Sequence, residues 1–455
     1  MPKIPTTVKM NAETPEILNT IRANSSAYYQ SIVPRVTSET DSPKEIGAII
    51  MSYTAIQNEF LTGLINRISR TILISRLYEN PWRMFKKGLL DMGETVEEIF
   101  TNICNAQSFS PEVAENEVFK RVIPDVRTAF HAMNYQKFYK QTISDEQLRQ
   151  AFLSWQGVTD LIASIVNAMY TAANYDEFLV MKYLIAKNAV NGNMYSVTIP
   201  AATTENAKSI VSTARSYSNK LTFMSTTYNP AGVSTFTPRD NQYILVNTDF
   251  DGIMNVEVLA SAFNMSNAEF LGHMILVDGF GNLDIERLNA LLSDTPGYQE
   301  IGSANLTALN NIPAMLVDEN FFMIFDNLAK FTEIYNSDGL YWNYSFHTWK
   351  TFSVSPFANA VIFNPVAAAV TGVTVSPSSV TVTKGQTAQF TANVTATGFA
   401  PQSVTWSVNG AADGTTISPS GLLTVDPAET QTPLTVTATS TYTPTKSGTA
   451  TVTLQ

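Results

Sequence analysis

Apolar positions along this chain switch between helical and strand periods, and the switches mark out its elements. From Ile46 the residues Ile46, Ile49, Ile50, Tyr53, Ile56, Phe60, Leu64 and Ile68 recur at helical spacing, which predicts an amphipathic helix with one buried face. Ser42-Pro43-Lys44-Glu45 marks its start: Ser42 can cap, Pro43 is preset for the first turn, and Glu45 completes a capping box. Before it, Pro2, Pro5, Pro15 and Pro34 and weak periodicity predict an N-terminal arm over 1–41, with one short helix near Glu13 to Asn24. Thr71 to Tyr78 is strand-like, and Asn80-Pro81 breaks it. A second capping box, Ser144-Asp145-Glu146-Gln147, opens the longest helical stripe. Leu148, Phe152, Trp155, Leu161, Ile162, Ile165, Val166 and Met169 form it, and Phe178, Met181 and Ile185 continue it past a polar interval from Asn174 to Glu177. One helix over 145–187 would be about 60 Å long; the alternative is two helices bent near Asn174.

From Asn191 to Asn311 strand-like pieces (Gln242 to Val246, Met274 to Val277) alternate with helical ones (Val256 to Phe263, Leu283 to Leu292), which predicts an α+β domain. Aromatic runs at 321–325, 340–349 and 360–363 predict a closing meander over 312–365. Composition breaks near Pro365. From Val366 to Gln455 the charged residues are Lys384, Asp413, Asp426, Glu429 and Lys446, and threonines alternate with valines and leucines at period two, as in half-buried strands. Glycines and prolines cut the stretch into seven runs: 373–375, 379–382, 388–392, 404–408, 421–425, 434–438 and 449–452. Seven short strands around one ring, Trp406, suit an immunoglobulin-like sandwich without a disulfide. Val375-Ser376-Pro377, Val404-Thr405-Trp406 and Gly421-Leu422-Leu423-Thr424-Val425 resemble the bacterial immunoglobulin-like group 2 domain.

With 455 residues, 44% apolar and 15% charged, the chain has material for two or three proper cores. One cysteine, Cys104, and three histidines, His131, His273 and His347, are too few for a disulfide framework or a Cys/His metal cluster. Asn247-Thr248-Asp249-Phe250-Asp251-Gly252 begins like a calcium loop, but Val258 stands where the bidentate glutamate belongs. Gly279-Phe280-Gly281 has Asp284 in place of the third glycine of a dinucleotide loop, and neither a phosphate loop nor a Gly-x-Ser-x-Gly elbow occurs. No metal, cofactor or enzymatic activity is expected. Met1 to Val8 lack an apolar signal core, and no later run approaches the roughly 20 residues of a membrane span. A cytoplasmic, non-membrane protein is therefore expected. The net charge of −11 disfavours phosphate neutralisation on nucleic acid, yet an acidic wall lets packed DNA slide without sticking.

Charge order in one segment stands out. Arg83, Lys86 and Lys87 come first; seven acids lie between Asp91 and Glu117, Glu97 and Glu98 among them; then Lys120, Arg121, Arg127, Lys137 and Lys140 face Asp125 alone. Either this is a solvated face, or the acidic tip of an arm lies on the basic base of a neighbouring copy.

Gln57-Asn58-Glu59-Phe60-Leu61, Phe85-Lys86-Lys87-Gly88, Thr95-Val96-Glu97-Glu98-Ile99-Phe100, Phe138-Tyr139-Lys140-Gln141-Thr142-Ile143, Val317-Asp318-Glu319-Asn320-Phe321-Phe322-Met323 and Gly339-Leu340-Tyr341-Trp342-Asn343-Tyr344 run in one order along the chain. In these strings it resembles the major head proteins of short-tailed phages of the Bacillus phi-29 group. The resemblance implies an α+β fold of the Hong Kong 97 bacteriophage type with a C-terminal all-β immunoglobulin-like sandwich. It divides 1–365 into an arm (1–41), an extended loop (80–143), a spine-helix region (144–190), an axial domain (191–311) and closing strands (312–365), followed by the immunoglobulin-like domain at 366–455. It also implies self-assembly into pentamers and hexamers of an icosahedral or prolate head around double-stranded DNA, with scaffolding protein and portal as partners. Arg83, Lys86, Lys87, Glu97, Glu98, Lys120 and Arg121 are the expected subunit contacts, and reversing Lys86 and Lys87 should hinder assembly while sparing the monomer. The rival reading is a bacterial surface or cell-wall-binding protein with a sandwich tail.

Overall fold

The computed structural model describes residues 14–36, 43–53, 55–60, 63, 80–90, 95–106, 122–151, 157–253, 273–412 and 414–455. The expected strand at Thr71 to Tyr78, the helix at Val256 to Phe263, the far end of the first helical stripe at Leu64 and Ile68, and Lys120 and Arg121 lie outside these residues. The first helices are α1 (Thr14–Ala23), α2 (Ala27–Ile32) and α3 (Pro43–Ser52). Strands β1 (Lys86–Leu89), β2 (Val96–Thr101), β3 (Val126–His131) and β4 (Tyr135–Ser144) follow, then helices α4 (Asp145–Ala151) and α5 (Gly157–Val190). Next come β5 (Tyr195–Thr198), α6 (Ala207–Leu221), β6 (Gln242–Asn247), α7 (Thr248–Ile253), β7 (Met274–Val277), α8 (Ile285–Leu292) and α9 (Ser303–Asn310). Strands β8 (Ala314–Asp318), β9 (Phe322–Asn336), β10 (Tyr341–Val354) and β11 (Ala360–Asn364) complete the first unit.

The arm folds on its own subunit. Ile17, Leu18, Ile21, Tyr29, Val33 and Val36 are buried with Ile46, Ile50, Ile56 and Phe60 against Trp342, Tyr344 and Phe346 of β10. The stripe of Ile46 to Phe60 is interrupted at Tyr53, which is exposed, and resumes as a helical segment over 55–60. At the second capping box the two hydrogen bonds are reciprocal: Ser144 N–H donates to Gln147 Oε1 (3.1 Å) and Gln147 N–H to Ser144 Oγ (3.2 Å). Helix α5 then runs 34 residues without a bend at Asn174, about 51 Å at the α-helical rise, so the single long helix is the form adopted over this stretch.

Two sheets flank α5. In the first the strand order is β1-β9-β10-β4, with β1 parallel to β9 and the other pairs antiparallel. The second has the order β5-β11-β8-β6-β7. The expected closing meander is therefore corrected: β9 and β10 belong to the first sheet, whereas β8 and β11 are central strands of the second, among strands from 191–311. Both faces of that second sheet are covered. Leu245, Met315, Val317 and Ile362 point into one core with α5 and α8, while Val246, Ala314, Leu316, Val361 and Phe363 point into another with α6. Burial on two sides explains why β8 and β11 are unbroken apolar runs.

The tail holds nine short strands, β12 (Ala369–Ser376), β13 (Ser379–Val382), β14 (Thr387–Gln389), β15 (Thr391–Thr397), β16 (Val404–Asn409), β17 (Thr416–Ile417), β18 (Leu422–Thr424), β19 (Leu434–Ser440) and β20 (Ser447–Leu454). They form sheets β12-β15, β13-β20-β19-β16 and β14-β18-β17 around one core. The expected strand over 388–392 is split at Phe390, and β17 is additional. Phe390, fully buried, is the ring at the centre; Trp406 is half-buried at the edge strand β16 and packs against that core from the side. The expectation of Trp406 as the central filler is corrected accordingly.

The tail is also keyed into the first unit. Phe399, held at φ 55°, packs against the core around α5. Ser196 Oγ (2.7 Å) and Asn364 Nδ2 (2.9 Å) both donate to the carbonyl of Gly398, and Gln402 Nε2 donates to that of Val190 (3.0 Å). Gly192 makes the close approach possible: at φ +67° it takes a conformation other residues avoid, and a Cβ there would lie 2.4 Å from the Ala400 carbonyl oxygen.

Candidate subunit interface

Strands β2 and β3 form a separate two-stranded ribbon, paired in register from Val96↔His131 to Thr101↔Val126. Alternation gives the ribbon two unlike faces. On the inner face Phe100 stacks on Phe357 with centroids 5.5 Å apart. His131, buried, sits between Ser353 Oγ (2.8 Å from Nδ1) and Glu98 Oε2 (3.2 Å from Nε2), and Ser355 Oγ donates to the other Glu98 oxygen (2.7 Å). Just past the end of β2, Ser234 N–H donates to Asn102 Oδ1 (3.0 Å), and from β3 Arg127 Nη1 donates to the Ala231 carbonyl. Hydrogen bonds from Asn102 and Arg127 hold the Asp125 carboxyl below its usual range. The inner face of the ribbon is thus bolted along its paired length to β10, Phe357 and the 231–234 loop.

The outer face carries Glu97, Ile99, Thr101, Val126, Thr128 and Phe130, and among the described residues its apolar side chains Ile99, Val126 and Phe130 remain exposed. Ile99 and Phe130 are 60% and 67% exposed, and Ile103, Val122 and Ile123 beyond the paired segment are 60%, 62% and 85% exposed. Clustered large apolar side chains in water mark an interaction surface. Glu97 shares this outer face; Glu98 does not, because it is turned inward to His131.

The basic residues before the ribbon are placed differently from one another. Arg83 is exposed in the short turn after Trp82. Lys87 is largely exposed and donates to the Glu319 carbonyl (3.0 Å) and Asn320 Oδ1 (2.8 Å), and partial desolvation of its ammonium lowers its pKa. Lys86 is committed to its own subunit, 3.1 Å from Glu177 Oε2 and 2.6 Å from Asp326 Oδ2. Lys350, almost completely buried, completes the ring at 2.5 Å from each of the same two carboxylates. Asn80 Nδ2 donates to the remaining Glu177 oxygen (2.7 Å). The expectation that reversing Lys86 spares the monomer is therefore corrected: a glutamate there would set a third carboxylate into a buried cluster. Its neighbours Trp82 and Phe85 are likewise core residues, packed against Phe322, so the stretch from Asn80 is part of the subunit body and the projecting ribbon begins later.

The polar interval from Asn174 to Glu177 lies within continuous helix, and its Asp176 and Glu177 are buried on α5. Burial alone would raise the Glu177 carboxyl, but Lys350 and Lys86 outweigh it and hold it below the usual carboxylate range; Asp326 behaves alike. Burial works against the Lys350 charge, and Glu177 and Asp326 overcome it, so its pKa lies above that of an ordinary lysine. Asp176 accepts from Tyr139 Oη (2.6 Å) and from Arg287 Nε. A β-bulge makes the ring possible. Leu328 pairs with Trp349 and Asp326 with Lys350, leaving Asn327 as the extra residue that turns Asp326 onto the face of Lys350. Two cations and two carboxylates so tie α5 to β1, β9 and β10, the last being the strand on which the ribbon docks.

A long helix across a sheet, a doubly covered second sheet and a bolted ribbon with a bare apolar face define a phage shell protein. The capsid structure of Staphylococcus phage Andhra superposes with a TM-score of 0.50 at 16% identity, over 64% of this chain and 86% of that one, which establishes the fold. The major capsid protein of Bacillus phage B103 is 39% identical over 424 residues, 92% of this chain and 88% of the relative. That of Bacillus phage PZA is 37% identical over 418 residues, 91% and 87% respectively. The family model described as Phi29-like phage major capsid protein matches residues 18–364, and that of the bacterial Ig-like domain (group 2) matches 369–453. The chain belongs to the Phi29-like phage major capsid protein family. It is a structural component of the virion that associates with its own copies, and the reading as a bacterial surface protein is not favoured.

Proposed function

We propose that the ribbon is the arm by which each subunit grips the next, in a shell of Hong Kong 97 type built of pentamers and hexamers around double-stranded DNA. The exposed Ile99 and Phe130 of its outer face, with Ile123 exposed beyond the paired segment, carry the reading, since apolar surface of this kind is unfavourable until another copy covers it. Covering each such side chain returns about 1.5–3 kcal/mol before association costs, and many such contacts per copy hold a closed container together. Glu97, Arg83, Lys87, Lys120 and Arg121 set the register of that contact by charge. Within 80–143 the ribbon of β2 and β3 acts as the extended loop, with 144–190 as the spine-helix region, 191–311 as the axial domain with strands lent by 312–365, and 366–455 as a clamp or host-facing module on the shell. Assembly proceeds in the host cytoplasm with a scaffolding protein and a portal, and the acidic wall leaves packaged DNA free of sequence-specific contacts. The test is the double substitution I99D/F130D. Purified subunits should keep the wild-type circular dichroism and melt, yet give no shells, tubes or rings by negative-stain microscopy with the scaffold present. Normal shells from this variant would refute the ribbon's role.

A further inference from the structure

Shell formation leaves unexplained a cleft of about 1320 Å³ at the junction of the capsid unit and the immunoglobulin-like domain. Four rings line it: Tyr195 and Tyr228 from the first unit, Trp406 and Tyr442 from the second. Tyr195 joins them across the junction, with centroids 5.2 Å from Tyr228 and 6.1 Å from Tyr442. All four are half-buried. Burial raises the pKa of Tyr195, Tyr228 and Tyr442. Asn193, Thr405 and Thr441 are exposed along the same walls. The walls do not come together loosely, because Gly192, Gln402 and Phe399 lock the two units at its floor.

The charge of the lining is as informative as its rings. In a chain of net charge −11, the cleft is lined among the described residues by one charged residue, Arg127, and by no carboxylate. That guanidinium is already engaged by Asp125 and the Ala231 carbonyl. A phosphate chain or a charged peptide would find no counter-charges here. Asn193, Thr405 and Thr441 each donate within the chain, to Asn188 Oδ1, the Thr439 carbonyl and the Ser403 carbonyl, and keep side-chain oxygens that a purely apolar ligand would strip of water. A neutral polyhydroxylated chain satisfies both: its C–H faces lie on the rings, and its hydroxyls pair with Asn193, Thr405 and Thr441. We propose that this cleft binds a neutral oligosaccharide. The volume exceeds the roughly 300–1,000 Å³ of a drug-sized site, so the ligand spans several sugar units. The tail then serves to complete a glycan site on the shell, in addition to any clamp role.

The experiment uses the full-length protein, as unassembled subunits and as shells. N-acetylglucosamine hexamer, cellohexaose, maltohexaose and a strand-forming Thr-Val hexapeptide are titrated by calorimetry. At least one saccharide should bind saturably to both forms, and Tyr442→Ala and Thr405→Arg should each weaken it tenfold or more with unchanged circular dichroism. Four results would overturn the proposal: no binding of any saccharide, undiminished affinity in both variants, binding of the peptide alone, or binding by subunits that disappears in shells, which would make the cleft a contact between copies.

Discussion

Lys350→Met isolates what the buried charge ring contributes. In the native subunit Lys350 Nζ lies 2.5 Å from both Glu177 and Asp326, and Lys86 supplies the second positive charge. Methionine keeps most of the volume but leaves two carboxylates facing one lysine. Breaking a buried pair in this way costs about 3–5 kcal/mol. The lower end applies, because Asp326 is 30% exposed and water screens its part. Acid should change the penalty in a defined direction. Glu177 and Asp326 have depressed pKa values in the folded wild type. Their contribution is present above the unfolded values of about 4.3 and 3.9 and is lost as pH falls through the folded ones. Without Lys350, burial dominates Glu177 and pushes its carboxyl upward, so the folded variant takes up a proton before the unfolded chain does. The difference between variant and wild type should therefore be largest at pH 7 and shrink toward pH 4. Lys350 has a raised pKa, so its own contribution is complete below about 10.4 and does not change in this range. Urea unfolding of assembly-blocked subunits, followed through Trp82, Trp342 and Trp349 in the same unit, supplies the numbers. A loss below about 1 kcal/mol at pH 7, or a penalty independent of pH from 7 to 4, would refute the reasoning.

Phe390→Ala removes the ring at the centre of the tail sandwich and should cost about 3–5 kcal/mol. Limited proteolysis should then digest 366–455 first while the capsid unit persists, and equal loss of both units would contradict a separate tail core. Gly192→Ala places a methyl group 2.4 Å from the Ala400 carbonyl oxygen at φ +67°. It should loosen the junction by about 1–3 kcal/mol, seen as faster hydrogen exchange at the Gly398 and Gln402 segment, with the Phe390 core unaffected. Unchanged exchange there would show that the close approach is not needed for docking.

Local signals carried much of the fold because they depend on neighbours in sequence. The Ser144 to Gln147 box, the period-two tail and the long stripe of α5 each need only residues a few positions apart to declare a cap, a strand or a helix face. The charge order from Arg83 to Lys140 likewise singled out the ribbon region. Sheet membership was different. Whether β8 and β11 join β9 and β10 or the second sheet depends on partners from 43 to 166 residues away, and an apolar run has the same local pattern in either place. Glu177 and Lys86 look like solvated charges in sequence, since nothing local reveals that a bulge at Asn327 will turn Asp326 toward Lys350 between them. Trp406 and Phe390 are both plausible centres for a sandwich, and only the packing of the three tail sheets selects the second. The sequence by itself determined the long helix, the period-two tail, the two-unit division and the family resemblance. Tertiary structure decided which charges are buried, which apolar face is left bare and where the two units leave a cleft, because each of these follows from long-range pairing that no local periodicity encodes.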